Sequence, residues 1–407
     1  MNDLIVQPLQ SQATSEIKTR VPLALPVSVL VIAIQPEAAR EKAGELESIP
    51  NLTVTHAGFK HLNPAQLQDH QTVLLHMPDD SAHALHLVQE LAPQVKNCIV
   101  IGNNVTPELT RSALRAGVID FVSGKPEDLD DLIQAIYSIA DHLVTEVKLA
   151  PLNVVINAKG GSGASFLSMS LADQLSLMTG GKAALADGDH LNASQSAMLK
   201  GTPEYHFQDA LREASSLDDS AIKGLMSKFS GITLLPAAPF GMLRPNHFDF
   251  SQLPTLLFKL RTSFESVVFD LSRGAEHWSL PVLQQADNIF IVVQDNVVCL
   301  RDAANLIRYA VRELDIPKER MQVVVNRYLK NPNSLKLEEI EKALGTDQIV
   351  TVRNDYKLAS LAMEQGKTLS VIAPNKRITK QIKEIAQQAQ FGKDQQPQKS
   401  FWRRWFG

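Results

Sequence analysis

Cysteine is scarce in this chain, and its absence narrows the chemistry available. Cys98 and Cys299 are the only cysteines among the 407 residues, and they stand in different parts of the chain. Neither belongs to a closely spaced pair, so the sequence excludes a thiolate metal site and an iron–sulfur centre. Such sparing use of cysteine fits a protein of a reducing cytoplasm.

Excess basic charge and long apolar runs are also missing. Lys and Arg number 40 against 44 Asp and Glu, a formal net charge of −4. Binding to a nucleic acid backbone needs a basic surface, so the composition disfavours a DNA-partition motor and predicts no nucleic acid partner. The longest apolar stretch, residues 21–34, contains Pro22 and Pro26. It is shorter than the roughly 20 residues that a membrane span requires.

The length predicts two or three domains at about 150 residues each. We expect a disordered polar leader over 1–26, a first domain over 27–149, a second over 150–391, and a linker with a short tail over 392–407. Strand and helix patterns alternate through 27–149, which indicates a parallel sheet. The predicted fold class is α/β: a receiver-like (flavodoxin-like) parallel sheet followed by a doubly wound P-loop domain.

A glycine-rich segment joins the apolar strand at 154–156 to an amphipathic helix that begins near Phe166. Glycines let successive backbone N–H groups point at one anion, and a helix N-terminus adds partial positive charge there. We therefore predict a phosphate-binding loop whose final hydroxyl is a ligand for Mg²⁺. The loop comprises Lys159, Gly160, Gly161, Ser162, Gly163, Ala164 and Ser165.

Alanine stands at 164, where such loops usually carry lysine, and Lys159 lies at the front of the loop. This pattern resembles the deviant Walker loop of the ParA/MinD family of P-loop ATPases. The resemblance implies ATP and Mg²⁺ as cofactors, and a homodimer in which Lys159 reaches the partner's nucleotide as a catalytic group. Loss of the second lysine predicts weak or absent hydrolysis. An active ATPase would need Lys159 or another cation to stabilise the transferring phosphate.

Three further segments match this family in order along the chain. Asp187 ends a buried strand, where the family's acid orients the attacking water; a helix cap is the alternative for it. Asp270 ends a second apolar strand and is expected to bind Mg²⁺ through water. Asn326 and Arg327 follow the strand at 323–325 and correspond to the family's adenine-recognising residues. On its own, Asn326 is equally typical of a turn.

The N-terminal region resembles a response-regulator receiver in its back half only. Residues 115–121, followed by Lys125 and Pro126, carry the likeness. A working receiver needs two acids after its first strand and an aspartate at the end of its third. Here those positions hold Gln35 and His76. We therefore predict an atypical receiver-like domain that binds partners or dimerises.

The last residues combine aromatic and basic side chains. From residue 393 onward, four basic residues against one acid give a local charge of +3. If the segment is helical, its aromatics form one stripe, which favours binding to an anionic membrane interface. A peptide that docks in a protein groove is the alternative. The predicted contact residues are Phe401, Trp402, Arg403, Arg404, Trp405 and Phe406.

A receiver-like domain joined to a ParA/MinD-like module with alanine at 164 resembles the TadZ/CpaE family of pilus assembly proteins. That resemblance implies a cytoplasmic protein that sits at the cell pole or on the inner membrane as a peripheral protein. Its expected function is a nucleotide-dependent dimerising scaffold for assembly of Tad (Flp, type IVb) pili, with the pilus secretion machinery as partner. The alternative is an active MinD-like ATPase that cycles on and off the membrane.

Overall fold

The computed structural model describes residues 23, 25–49, 51–78, 80–103, 106–239, 250–330 and 335–391. These residues form two α/β units, each built on its own sheet, so the predicted fold class is confirmed. Within these ranges every helix is too short or too polar to cross a lipid bilayer. The predicted leader and tail lie largely or wholly outside the described residues, and the domain limits stay a prediction.

The first unit is a parallel five-stranded sheet in the order β2-β1-β3-β4-β5, the order of flavodoxin-like folds. Its strands are β1 Val27–Ala33, β2 Leu52–Gly58, β3 Thr72–His76, β4 Cys98–Ile101 and β5 Val118–Val122. Its helices are α1 Pro36–Leu46, α2 Pro64–Asp69, α3 Ser81–Leu91, α4 Pro107–Arg115 and α5 Leu129–Glu146.

Strand β1 is apolar on both faces because helices cover both sides of this sheet. Val29 and Val31 pack into the core beneath α1 and α5. Leu30 and Ile32 point the other way, into the core beneath α3 and α4. The edge strand β2 is exposed or half-buried except at Gly58, and its exposed residues are Thr53, Thr55 and His56.

The second unit is an eight-stranded sheet in the order β13-β12-β11-β6-β10-β7-β9-β8, parallel except for the β8–β9 pair. Its strands are β6 Leu152–Asn157, β7 Ala183–Asp187, β8 Ser227–Phe229, β9 Ile232–Leu235, β10 Ser266–Leu271, β11 Asn288–Val293, β12 Met321–Tyr328 and β13 Ile349–Arg353. Its helices are α6 Ala164–Met178, α7 Ser194–Met198, α8 Phe207–Arg212, α9 Asp219–Gly224, α10 Leu253–Ser263, α11 Leu280–Gln285, α12 Val297–Arg312, α13 Leu337–Leu344, α14 Tyr356–Gln365, α15 Leu369–Ile372 and α16 Arg377–Phe391.

Strand β6 marks the switch point of this sheet. From β6 the chain first builds the strands on its β10 side and then crosses to β11, β12 and β13 on the other side. Val154 and Ile156 enter one core layer and Val155 the opposite one, so β6 is buried on both faces. In open α/β sheets, ligands bind where the carboxyl ends of the strands flank such a point.

Helix α10 connects the two units. Its Thr255 hydroxyl donates to Asn51 Oδ1 at 2.7 Å, and the amide of Asn51 donates to the Leu23 carbonyl at 2.8 Å. Phe258, one turn further along α10, packs against the core of the first unit. One hydrogen-bonded asparagine and one aromatic ring thus join the first sheet to the second.

Candidate nucleotide-binding site

The predicted phosphate loop lies at the carboxyl end of β6 and leads directly into α6. Gly161 and Gly163 adopt φ angles of 84° and 105°, a region that side chains other than glycine rarely enter. A Cβ on Gly163 would also overlap the side-chain nitrogen of Asn326. Two of the three glycines are therefore required by backbone geometry, and Gly163 is also required by the space around it.

Side chains from β12 and from the end of β11 hold the loop in place. Asn326 Nδ2 donates to the Ser162 carbonyl at 2.8 Å, and Gln294 Nε2 donates to the Gly161 carbonyl at 3.2 Å. The Ser162 hydroxyl closes a short turn by donating to the Lys159 carbonyl at 2.7 Å. The loop is consequently fixed from two neighbouring strands rather than left as an open surface turn.

Asn326 and Arg327 differ in how they meet this loop. The Asn326 amide bonds the loop, and its Oδ1 accepts the backbone N–H of Arg327 at 2.9 Å. Arg327 itself is exposed and has a φ of 56°. In this structure Asn326 positions the phosphate loop, while its predicted contact with adenine stays a prediction.

Asn157, the last residue of β6, caps the start of α6. Its Oδ1 accepts the backbone N–H of Ala164 at 3.0 Å, and its Nδ2 donates to the Ser272 carbonyl at 2.7 Å. One of the N–H groups that could face a phosphate is therefore already paired. Ala164 is fully buried, so the methyl group that replaces the usual lysine lies inside the protein.

Lys159 lies near Asp302 of α12. Its Nζ lies 3.9 Å from Asp302 Oδ2, and its side chain is about half exposed, at 53%. Asp302 also accepts from Arg301 at 2.9 Å, so it already has a second cationic partner. The weak pairing leaves Lys159 free to turn toward a ligand or a neighbouring molecule.

Asp187 and Asp270 are direct neighbours in the sheet, paired in register between β7 and β10, and both are fully buried. Asp187 accepts the backbone N–H groups of Asp189 at 2.9 Å and Gln195 at 3.0 Å. Asp270 accepts the backbone N–H of Ser272 at 3.1 Å and the side-chain amide of Gln195 at 2.6 Å. The structure thus brings the two predicted carboxylates together beside the loop.

Burial controls the charge of this pair. Desolvation raises the pKa of Asp187 well above its usual range, and the neighbouring charge of Asp270 raises it further. Desolvation also raises the pKa of Asp270 to about 6, although hydrogen bonds from Gln195, Ser165 and Ser168 favour its ionised form. Two buried carboxylates that repel each other hold their protons to higher pH, and a cation between them would release those protons.

Ser165 and Asp270 suit Mg²⁺ because their hydroxyl and carboxylate oxygens are the hard ligands that it prefers. The Ser165 hydroxyl interacts with Asp270, so both oxygens lie at one place. Ser194 also contacts Ser165, with 3.4 Å between their hydroxyl oxygens. Asp189 lies outside this group because its carboxylate is bonded to the side chain of Asn192 at 3.0 Å.

Aromatic rings link the loops that follow the two acids. His190, just after Asp189, contacts the edge of Trp278 with ring centroids 5.4 Å apart. Trp278 follows Asp270 in the chain and stacks on Phe250 at 4.6 Å. A change at either carboxylate can therefore alter the surroundings of Trp278, whose fluorescence offers a probe of the site.

Three residues of this site were missed by sequence reasoning: Asn157, Gln195 and Gln294. Asn157 is the last residue of β6, and Gln294 directly follows β11. In both places, a polar residue at the end of an apolar run is a usable signal. Gln195 lies in the short helix α7, and no pattern in the sequence marks it. The predicted membrane-contact residues, 401–406, lie outside the described residues.

In the first unit, the ends of β1 and β3 lack the acids that phosphoryl transfer in a receiver would need. Ile34 and Gln35 follow β1, and β3 ends at His76. Lys125 is exposed and lies 3.9 Å from Glu127. The flavodoxin-like strand order is thus present, whereas a regulatory role for this unit stays a prediction.

Known proteins resemble more than half of this chain. No family model matches the chain. Over 231 residues the chain is 23% identical to the septum site-determining protein MinD of Bacillus subtilis, an alignment covering 55% of this chain and 83% of that protein. It is 24% identical over 238 residues to an uncharacterized ATP-binding protein of Methanocaldococcus jannaschii, covering 57% of this chain and 84% of that protein.

The fold comparison agrees with these sequence relatives. A ParA family ATPase from Chlorobium tepidum superposes with a TM-score of 0.52 at 22% identity, covering 59% of this chain and 99% of that one. The glycine loop after β6 and the buried acids of β7 and β10 lie in the same unit. This part of the chain therefore has the fold of the MinD/ParA P-loop ATPases.

Proposed function

We propose that this protein binds ATP with Mg²⁺ and acts as a nucleotide-dependent localisation scaffold that hydrolyses ATP slowly or not at all. One observation carries the proposal: a glycine loop with the geometry of a phosphate site lies beside two buried aspartates, yet the buried position 164 holds alanine. The site keeps the groups that bind a nucleotide and lacks the lysine that stabilises charge on the transferring phosphate.

Each group has a distinct role in this proposal. Backbone N–H groups of the loop and the N-terminus of α6 hold the phosphates. Ser165 and Asp270 hold Mg²⁺, which when bound neutralises phosphate charge. Asp187 is the candidate for orienting water, although both of its oxygens accept backbone N–H groups here. Asn326 and Arg327 are the candidates for contacting the base.

A localisation role is supported by the relatives. One is a septum site-determining protein, and another is an ATP-binding protein. The finer assignment, to the assembly of Tad pilus machinery at the pole or inner membrane, combines three features: the receiver-like unit, alanine at 164 and the basic-aromatic tail. In this proposal the tail holds the protein on the membrane and the first unit binds partner proteins.

The second candidate is an active MinD-like ATPase. Lys159 favours it, because a half-exposed lysine held only weakly by Asp302 has the freedom to reach phosphate. Nucleotide binding and phosphate release, measured side by side on the purified protein, separate the two. Binding without release above background supports the scaffold. Brisk release that disappears in Lys159→Ala supports the ATPase.

Dimerisation gives a separate test of Lys159. If this lysine crosses a two-fold interface to the partner's phosphates, ATP and dimer formation favour each other. Sedimentation velocity with and without Mg-ATP should show a dimer only with nucleotide, and Lys159→Ala should reduce it. Lys182→Ala is the matched control, because Lys182 is an exposed lysine paired with Glu265 at the opposite end of β7. A monomer in both conditions contradicts the dimer proposal.

A further inference from the structure

Gln195 occupies the place where the phosphate loop and the second carboxylate meet. Its side chain is fully buried. Nε2 donates to Asp270 Oδ2 at 2.6 Å and to the Ser165 carbonyl at 2.9 Å, while the backbone N–H of the same residue donates to Asp187. A single glutamine therefore bridges both acids and the end of the phosphate loop.

The orientation of this carboxamide is fixed by its neighbours. The Ser165 carbonyl can only accept hydrogen bonds, and the same holds for the Asp270 carboxylate when it is ionised. The amide nitrogen of Gln195, which is a donor, must therefore face both groups. The opposite atom, Oε1, is buried and has no hydrogen-bond partner in the described part of the chain. Buried acceptors without partners are uncommon, and each one lowers the stability of the folded state. Here the unpartnered oxygen belongs to the side chain that bridges Ser165 and Asp270.

The backbone just before Gln195 is also strained. Ala193, at the start of α7, adopts φ 52°, a left-handed conformation that alanine rarely takes. Its N–H bonds the Asp189 carbonyl at 2.9 Å, so the turn is tied to the strand end that carries Asp187. Strain of this kind persists where surrounding structure demands it, often at functional sites. Here its effect is to deliver Gln195 into the gap between Ser165 and Asp270.

A divalent cation at this site needs the same partners. Mg²⁺ would use the oxygens of Ser165 and Asp270, and the positively polarised N–H₂ group of Gln195 already points at Asp270 Oδ2. Asp270 Oδ1 already accepts the backbone N–H of Ser272, so the amide competes for Oδ2 with the cation, or with a water that links the cation to Asp270. We propose that the Gln195 carboxamide is a positioning group that stands in for the cation, holding Ser165 and Asp270 together without metal and competing with Mg²⁺ for Asp270. This inference rests on the proposed nucleotide site.

Two substitutions test the competition. Gln195→Met keeps the length of the side chain and removes the amide, and Gln195→Glu replaces the donor with a third carboxylate. Gln322→Met is the matched control, because Gln322 on β12 is also buried with an unpartnered Oε1 but lies four residues before Asn326, away from the loop. Circular dichroism establishes that each variant folds.

The first measurement uses metal alone, with Mn²⁺ binding to the full-length protein followed by electron paramagnetic resonance. Both Gln195 variants should bind Mn²⁺ at least about tenfold more tightly than wild type, the size expected when a hydrogen bond to a charged group no longer competes. Gln322→Met should match wild type. Equal affinity in wild type and Gln195→Met, or weaker binding in Gln195→Met, overturns the proposal, the latter because Gln195 would then be a ligand.

The second measurement uses a fluorescent ATP analogue, titrated in EDTA and in MgCl₂. Wild type should show only a small gain in affinity from Mg²⁺, and Gln195→Met should show a gain about tenfold larger. An equal gain in both proteins contradicts the inference. If wild type binds no nucleotide in either buffer, the proposed function fails, while the Mn²⁺ comparison still decides the role of Gln195.

Discussion

Asn326 donates its side-chain amide to the carbonyl of Ser162 at 2.8 Å and fills the space beside Gly163 that a side chain would need. A strand residue and a loop glycine thus define one another's positions. Because Asn326 lies in β12, directly after the buried residues 321–325, it transmits the rigidity of the sheet to the loop. The shape of the glycine loop is consequently held by contacts within the protein.

This relationship predicts that Gly163→Ala disables the loop. The new methyl group would overlap the side chain of Asn326, and the present backbone would hold alanine at a φ of 105°. We expect a loss of about 1–3 kcal/mol in the free energy of unfolding, typical of a strained backbone position, together with loss of nucleotide binding. Gly160→Ala is the control, since its Cβ meets nothing within 4 Å and its φ is not positive. Urea unfolding and an ATP titration would measure both effects, and equal behaviour of the two variants would contradict this account.

Ala164→Lys should restore the missing charge. Position 164 is buried at the start of α6, so a lysine there must extend along the loop toward the phosphates. We expect ATP affinity to rise by roughly tenfold or more, because a hydrogen bond to a charged group contributes about 1.5–3 kcal/mol. Ala164→Met is the control for length without charge. If both variants bind ATP alike in a fluorescence titration, the change is steric and the missing charge is irrelevant.

Five adjacent strands of the second unit, β12, β11, β6, β10 and β7, could be predicted from sequence because they are continuous apolar runs that end in polar residues. The runs before Asp187, Asp270 and Asn326 correspond to β7, β10 and β12. Strand β2 was missed because it lies at a sheet edge and alternates exposed polar residues with half-buried ones. Gln195 was missed for a different reason. Its role depends on a left-handed turn at Ala193 that brings it beside Ser165, and a contact between residues 30 positions apart leaves no local pattern.

The buried pair predicts a pH-dependent stability when divalent cations are absent. Burial raises the pKa of Asp270 from 3.8 to about 6, so between these values the folded protein keeps a proton that the unfolded chain has released. The stabilisation of the folded state by this proton is therefore complete below about pH 4, decreases as the pH rises to about 6, and is absent above about pH 6. The expected decrease is on the order of 2–3 kcal/mol.

Urea unfolding in EDTA at several pH values measures this dependence. Asp270→Asn should have a smaller slope of unfolding free energy between about pH 4 and pH 6, because its amide does not titrate. Mg²⁺ should stabilise wild type mainly above about pH 6, where electrostatic repulsion between the carboxylates of Asp187 and Asp270 would otherwise be greatest. Parallel slopes in the two proteins would show that the pH dependence originates elsewhere.

The tail is expected to attach the protein reversibly to anionic membrane. Its aromatic residues supply apolar burial, and its local charge of +3 supplies attraction to anionic lipid. Truncation after Ser400, or the double change Trp402→Glu and Trp405→Glu, should abolish flotation with anionic vesicles. Far-UV circular dichroism should stay unchanged, because the described helices and strands all end at or before residue 391.

Salt and charge separate the two parts of this attraction. Binding should weaken as salt rises, since charges are screened over about 8–10 Å at physiological ionic strength, while the aromatic part persists. Replacing Arg403 and Arg404 with Gln should remove most of the salt dependence and leave weaker, salt-insensitive binding. A truncated protein that floats as well as the full chain would place the membrane contact elsewhere, and the aromatic stripe would then be better explained as a peptide that docks in a protein groove.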